Sequence, residues 1–180
     1  DYYTTEIIDF VTTKENDLST ISIGSRLPFY HNNHFTIGTK DYFYDGNVSS
    51  EKLAKNEIIR KAFQFLNTPY LWGGKTPMGI DCSGLTQMTY RINGYNIPRD
   101  ASQQSLLGET LSFIDESEPG DLAFFDDDDG NITHVGLLLE NHHILHAHGN
   151  VRIDRVDQTG IYNIKTQQHS HKLRIMKKII

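Results

Sequence analysis

Only one cysteine, Cys82, occurs in the 180 residues. With no second thiol the chain cannot close an internal disulfide, so cysteine usage leaves the compartment open. No apolar run approaches the roughly 20 residues a membrane-spanning helix needs, and Val135 to Leu139 is typical of the longest. Basic residues are in deficit: the formal charge is −6 and the isoelectric point is near 5.8. That argues against non-specific nucleic-acid binding, which requires a basic surface. There is no internal repeat and no low-complexity tract. No signal peptide is visible. A chain that begins Asp-Tyr-Tyr and not Met is expected to start at a processed or engineered end, which leaves the presence of a targeting segment open.

What remains is ordinary globular composition, 37% hydrophobic and 22% charged, which suffices for a core. The length suits one medium domain, or a domain of about 130 residues with a smaller companion. Residues 1–48 read as short strands: Glu6 to Val11 and Leu18 to Ile23 carry β-branched and apolar residues, and Gly24-Ser25, Asn32-Asn33, Gly38 and Asp45-Gly46 supply turns. This segment is rich in Tyr and Phe. Ser49-Ser50 read as N-caps of a helix whose stripe is Ala54, Ile58, Ala62 and Leu66, ended by Pro69. A Gly- and Pro-rich stretch, Tyr70 to Asp81, leads into a second helical pattern, Leu85, Met88 and Ile92, which ends near Asn93-Gly94. A polar segment running to Glu116 has room for a short helix. Strands follow at Leu122–Phe125, Ile132–Glu140, His143–His148, Val151–Val156 and Lys172–Ile179. Helices first and then strands joined by short turns imply antiparallel pairing and an α+β class. The boundary is expected at 48/49, with residues 49–180 as the second domain.

Cys82 sits where loop becomes helix. Unpaired backbone N–H groups and the positive end of the helix dipole favour a thiolate there. It reads as a nucleophile, with a small buried residue as the plain alternative. A thiol nucleophile needs a base, and the base needs a group to orient it. His134 and His146 lie on strands expected to be neighbours, about 4.8 Å apart. If the Cys82 helix packs across the face they share, His134 is the base and His146 its orienter; otherwise each is an ordinary strand histidine. Asp81 is either a helix N-cap or a carboxylate that needs a substrate ammonium to neutralise it beside the thiolate. Ser83 either offers a hydrogen bond to substrate or packs the first turn, and the Cys82 N–H is a candidate oxyanion donor. Trp72 reads as a pocket wall or a core aromatic. Asp126 to Asp129 with Gly130 is a solvated turn in preference to a calcium loop, whose first ligand position would fall on Phe125. His142, His143, His146 and His148 lack the partners of a catalytic metal site. His31, His34, His169 and His171 read as surface residues.

Five motifs occur in order: Tyr70-x-Trp72-Gly73-Gly74, Asp81-Cys82-Ser83-Gly84-Leu85, Pro98-Arg99-Asp100, Pro119-Gly120-Asp121-Leu122 and His134-Val135-Gly136. Together they resemble the NlpC/P60 cell-wall peptidases over roughly residues 52–160. The resemblance implies a papain-like fold, with a Cys-bearing helix packed on an antiparallel sheet. It implies Cys82 as nucleophile, His134 as base and His146 as third polar member. The implied reaction is hydrolysis of bacterial cell-wall stem peptides, commonly between D-γ-glutamate and the diamino acid, with no cofactor and no metal. Tyr70 would support the tetrahedral intermediate, and Asp81 and Asp100 would receive a free N-terminal amine. Residues 1–48 resemble the end of a bacterial SH3-like domain. Further expectations are a monomer in the cell envelope, periplasmic or secreted, with cytoplasmic murein recycling as the other location. Rival readings are an amidase or acyltransferase using the same triad, and a wall-binding module with an inactive peptidase.

Overall fold

The protein is described here from a computed structural model, covering residues 1–164 and 166–180. Two small sheets form the N-terminal part. One orders β4 (Arg26–Leu27), β1 (Tyr2–Thr4) and β7 (Val48–Ser49); the other orders β3 (Leu18–Ser22), β2 (Ile8–Thr13), β6 (Lys40–Phe43) and β5 (His34–Ile37). Val11, Leu27, Phe35 and Tyr44 make their shared core. Ile23 instead enters the main core with Met88 and Ile92, and the expected boundary at 48/49 falls inside β7.

Helix α1 (Lys55–Ala62) begins later than the sequence suggests. Ser49 does not cap it, because Ser49 pairs with Tyr3 across β1 and β7; Ala54 takes the N-cap position with no side-chain bond. After a 3₁₀ turn at Phe63–Phe65, the chain makes the two-stranded hairpin β8 (Lys75–Thr76) and β9 (Gly79–Ile80). Helix α2 (Cys82–Ile92) follows directly and is buried along almost its whole length. The polar segment holds helix α3 (Ala101–Gln104) and strand β10 (Glu109–Leu111).

The last strands are β11 (Leu122–Asp126), β12 (Ile132–Leu139), β13 (His143–His148), β14 (Asn150–Val156), β15 (Gly160–Asn163) and β16 (Gln168–Lys178). They pair antiparallel in chain order. Because β16 also pairs with β11, the six close into a barrel. Strand β15 was not legible as a strand, yet it completes the closure. Side chains alternate across a strand, so each barrel strand has two environments. Leu122, Phe124, Val135, Leu137, Leu145 and Ala147 point outward into the core with α2. Ala123, Phe125, Leu138, Ile144, Val156, Ile161 and Met176 form a second, interior core.

The turn Pro119-Gly120-Asp121 ties the barrel to both long helices. Asp121 is fully buried; its Oδ1 accepts from Lys55 Nζ at 2.6 Å and its Oδ2 from the Glu118 N–H at 2.8 Å. Tyr90 of α2 donates its hydroxyl to the Gly120 carbonyl at 2.7 Å. Lys55→Met would leave a buried carboxylate without its cation. The expected loss is about 3 kcal/mol of unfolding free energy in urea, and a loss below about 1 kcal/mol would contradict this account of the turn.

Candidate functional site

Asp81 caps α2: its Oδ1 accepts the Gly84 N–H at 2.7 Å. The same carboxylate accepts the Gly73 N–H at 2.8 Å and both guanidinium ends of Arg99, Nη1 at 3.0 Å and Nη2 at 2.5 Å. Arg99 also donates to Ser83 Oγ at 2.8 Å. Burial alone would raise the Asp81 pKa, but Arg99 and the two backbone N–H groups outweigh it and the net shift is downward. The expectation that Asp81 requires a substrate ammonium is therefore corrected, because Arg99, a residue given no role from sequence, already neutralises it. Asp100 is exposed and makes no side-chain hydrogen bond among the described residues. The glycine of Asp81-Cys82-Ser83-Gly84 also has a steric reason. A Cβ at Gly84 would lie 2.3 Å from the Gly74 carbonyl oxygen, so the loop before the cysteine can close over the helix only if that residue has no side chain.

The Cys82 thiol is buried, with the residue 7% exposed. Burial pushes its pKa up, and hydrogen bonding from the N–H groups of Val135, Ser83 and Cys82 only partly offsets this against the nearby Asp81 charge. The helix terminus does not win: the shift is upward, against the low thiol pKa expected from sequence. Cys82 shares a core with Val135 of β12, the residue after His134.

His134 Nε2 and His146 Nδ1 are 2.8 Å apart. The pair is diagonal, since Gly136 stands opposite His146. The two rings do not lie on the face that α2 covers. His134 packs against Phe125 of the interior core, so both histidines occupy the barrel mouth while α2 lies outside. The histidines thus share a face, but it is the interior one and not the one α2 covers, which corrects the shared-face expectation. Gly136 makes room for this pair: a Cβ there would sit 2.7 Å from Ile144 Cδ1 and 2.9 Å from His146 Cβ.

Two neighbours of the pair escaped the sequence reading. His146 Nε2 lies 2.9 Å from Asp154 Oδ2, and Arg152 clamps Asp154 with Nε at 2.7 Å and Nη2 at 2.8 Å. The β14 strand was legible, and the two-residue spacing of Arg152 and Asp154 would have put them on one face; what hid them was the unknown partner strand register. His171, read as a surface residue, stacks on His134 with ring centroids 4.3 Å apart and planes at 28°. Burial lowers the His134 pKa well below the usual imidazole range, and His146, His171 and His148 add to the effect. Burial also outweighs Asp154 in lowering His146, and pushes His171 to about 4.

A groove of about 650 Å³ opens beside the sulfur, lined by Tyr70, Trp72, Asp81, Ser83, Arg99 and Asp100 among others. Trp72 is 86% exposed, which makes it a wall and not a core aromatic. Burial, then the nearby Cys82 and Asp81, raise the Tyr70 pKa, keeping its hydroxyl protonated. The remaining sequence candidates lie elsewhere. Asp127 closes its own turn by accepting from the N–H groups of Asp129 and Asn131. His142 pairs with Asp115 and His169 with Asp157.

Fold and site define a class: an α+β protein with a thiol at a helix start and buried, hydrogen-bonded histidines at a barrel rim. Residues 67–171 match the model of the NlpC/P60 family, and the chain belongs to that family. Over 102 residues it is 41% identical to the gamma-D-glutamyl-L-lysine dipeptidyl-peptidase of Bacillus subtilis, across 56% of this chain and 34% of that protein. Over 104 residues it is 36% identical to the probable endopeptidase p60 of Listeria seeligeri, across 57% of this chain and 20% of that protein. The chain thus spans about a third or less of these relatives' length. A solved NlpC/P60 family protein from Bacillus cereus aligns with 99% of this chain and 62% of its own at a TM-score of 0.78 and 22% identity, a likeness of fold. The NlpC/p60 domain of the peptidoglycan hydrolase SagA aligns with 70% of this chain and 99% of its own, with a TM-score of 0.56 and 25% identity.

Two outcomes are expected. Histidines whose folded pKa is depressed bind protons more readily in the unfolded chain, so stability is full above the unfolded value of about 6.5 and falls as pH drops toward the folded values. For His171 that window runs from about 6.5 down to about 4. Urea midpoints should fall between pH 7 and pH 5, and His171→Phe should flatten the fall; a midpoint independent of pH would contradict burial of the cluster. Gly136→Ala should cost about 1–3 kcal/mol by overpacking and displace His146, readable as lower stability together with a shifted His146 ring signal in NMR.

Proposed function

We propose that this chain is a cysteine peptidase that hydrolyses bacterial cell-wall stem peptides at the γ-D-glutamyl–L-diamino acid bond. The observation that carries the reading is the buried 2.8 Å contact between His134 and His146, on strands that share a core with Cys82 through Val135, Leu145 and Ala147. The relative's name supplies the bond. In this reading His134 takes the thiol proton as sulfur attacks the amide carbonyl, and a thioester forms as the C–N bond breaks. His134 then returns the proton to the leaving amine, and water resolves the acyl-enzyme. The Cys82 N–H at the helix start and the Tyr70 hydroxyl donate to the developing oxyanion.

Asp100 receives the free N-terminal amine of the peptide, because its exposed carboxylate lines the groove and makes no competing side-chain hydrogen bond among the described residues. Asp81 acts from behind, holding Arg99, Ser83 and the helix start in place. Residues 1–48 are read as part of an SH3-like unit that bounds the domain. A cell-envelope or secreted location fits a wall substrate.

Incubation with defined stem peptides and mass analysis of the products tests this directly. Wild type should cut the γ-bond, Cys82→Ala should abolish cleavage, and His146→Ala should lower kcat by about a hundredfold or more with the fold intact. Undiminished cleavage by Cys82→Ala removes the proposal. Release of a different acyl group would favour an amidase or acyltransferase, and binding without any cleavage would favour a wall-binding module.

A further inference from the structure

We infer that Asp154 is a positioning residue which, through His146, fixes the proton on Nε2 of His134 and leaves its Nδ1 as the free base nitrogen. The inference rests on the thiol chemistry proposed above for its consequence, but the proton arrangement stands on the contact geometry and the charge states of the groups in contact. An ionised carboxylate can only accept hydrogen bonds. Arg152 holds Asp154 from one side with two short contacts, and these together with His146 outweigh burial, so its pKa is lowered. His146 must therefore present an N–H from Nε2, 2.9 Å from Oδ2.

A neutral imidazole has one N–H. Burial keeps both rings neutral, so His146 Nδ1 is left as an acceptor. It lies 2.8 Å from His134 Nε2, which must then carry the hydrogen. The lone pair of His134 is thereby set on Nδ1, the one ring nitrogen not committed to the relay. The register makes the chain of contacts possible. Ile144 stands opposite Asp154 and His146 opposite Arg152, so all these side chains project into the same barrel mouth.

The isosteric change Asp154→Asn discriminates this role from simple support. With Arg152 in place, the Asn carbonyl turns to the guanidinium and its amide faces His146 Nε2. His146 then carries its proton on Nδ1, and His134 is forced to carry its proton on Nδ1 as well, where it blocks the base. Imidazole ¹⁵N NMR of the whole chain at pH 7.5 reads this without substrate. Wild type should show Nε2–H on both rings, and Asp154→Asn should show Nδ1–H on both. On stem peptides, Asp154→Asn should lower kcat at least a hundredfold with KM changed less than about threefold. Asp154→Ala, which lets water accept the His146 proton, should lose less than Asp154→Asn.

Nδ1–H on either ring of the wild type overturns the inference even if no variant folds. So does an Asp154→Asn variant with wild-type tautomers, or one no slower than Asp154→Ala. Inverted tautomers in a protein that cleaves no stem peptide would uphold the role of Asp154 while removing the proposed reaction.

Discussion

Closure of the barrel is the constraint on which the site depends. Strand β16 pairs with β11 on one side and β15 on the other, so alternate residues of every strand are forced inside or outside. The outside has a helix to cover it and presents Leu122, Phe124, Val135, Leu137, Leu145 and Ala147 to that core. The inside is filled by apolar residues at one end and by histidines, Asp154 and Arg152 at the mouth. Polar groups in that setting are costly unless each finds a partner. Here the partners are one another: His134, His146, Asp154 and Arg152 form a continuous series of contacts between 2.7 and 2.9 Å. The series can be polar and buried because each member is partnered.

The second element of the site reaches the mouth from outside. Helix α2 is packed by its own buried face, but its first turn is fixed by Asp81, which binds Gly84, Gly73 and Arg99 together. A carboxylate next to a nucleophilic sulfur is electrostatically unfavourable for a thiolate, and Asp81 is indeed among the influences that raise the Cys82 pKa. Arg99 makes the arrangement tolerable. The loop, the helix start and the Pro98-Arg99-Asp100 segment are thus one electrostatic unit, although 18 residues separate Asp81 from Arg99.

Much of this was legible in the residues. The helix periodicity of Leu85, Met88 and Ile92 and the apolar strands at Leu122 and Ile132 specified elements with strong local signals. The five motifs located the cysteine, the first histidine and the groove residues. What was not legible depends on register and closure. The short strand β15 carries little period of its own and exists because β14 and β16 flank it. Arg99, Asp154 and His171 reveal their roles only once three separate segments are brought together in space. The Ser49-Ser50 cap was misread because a local capping signal competed with a cross-strand partner 46 residues away, Tyr3, and tertiary pairing won.

The direction of the pKa shifts bears on how such a site would work. A thiolate–imidazolium pair is stabilised where both charges are solvated or matched by neighbours. At this rim, burial raises the thiol and lowers the imidazole, so both shifts favour the neutral pair in the free protein. In the proposed reaction, proton transfer would then accompany the attack of sulfur and would not precede it. Under that condition the geometry of the base matters more than its charge. One nitrogen must hold an open lone pair at the moment the thiol approaches, and a neutral ring satisfies this only in one of its two tautomers. A buried relay ending on a carboxylate clamped by arginine selects that tautomer without charging the imidazole.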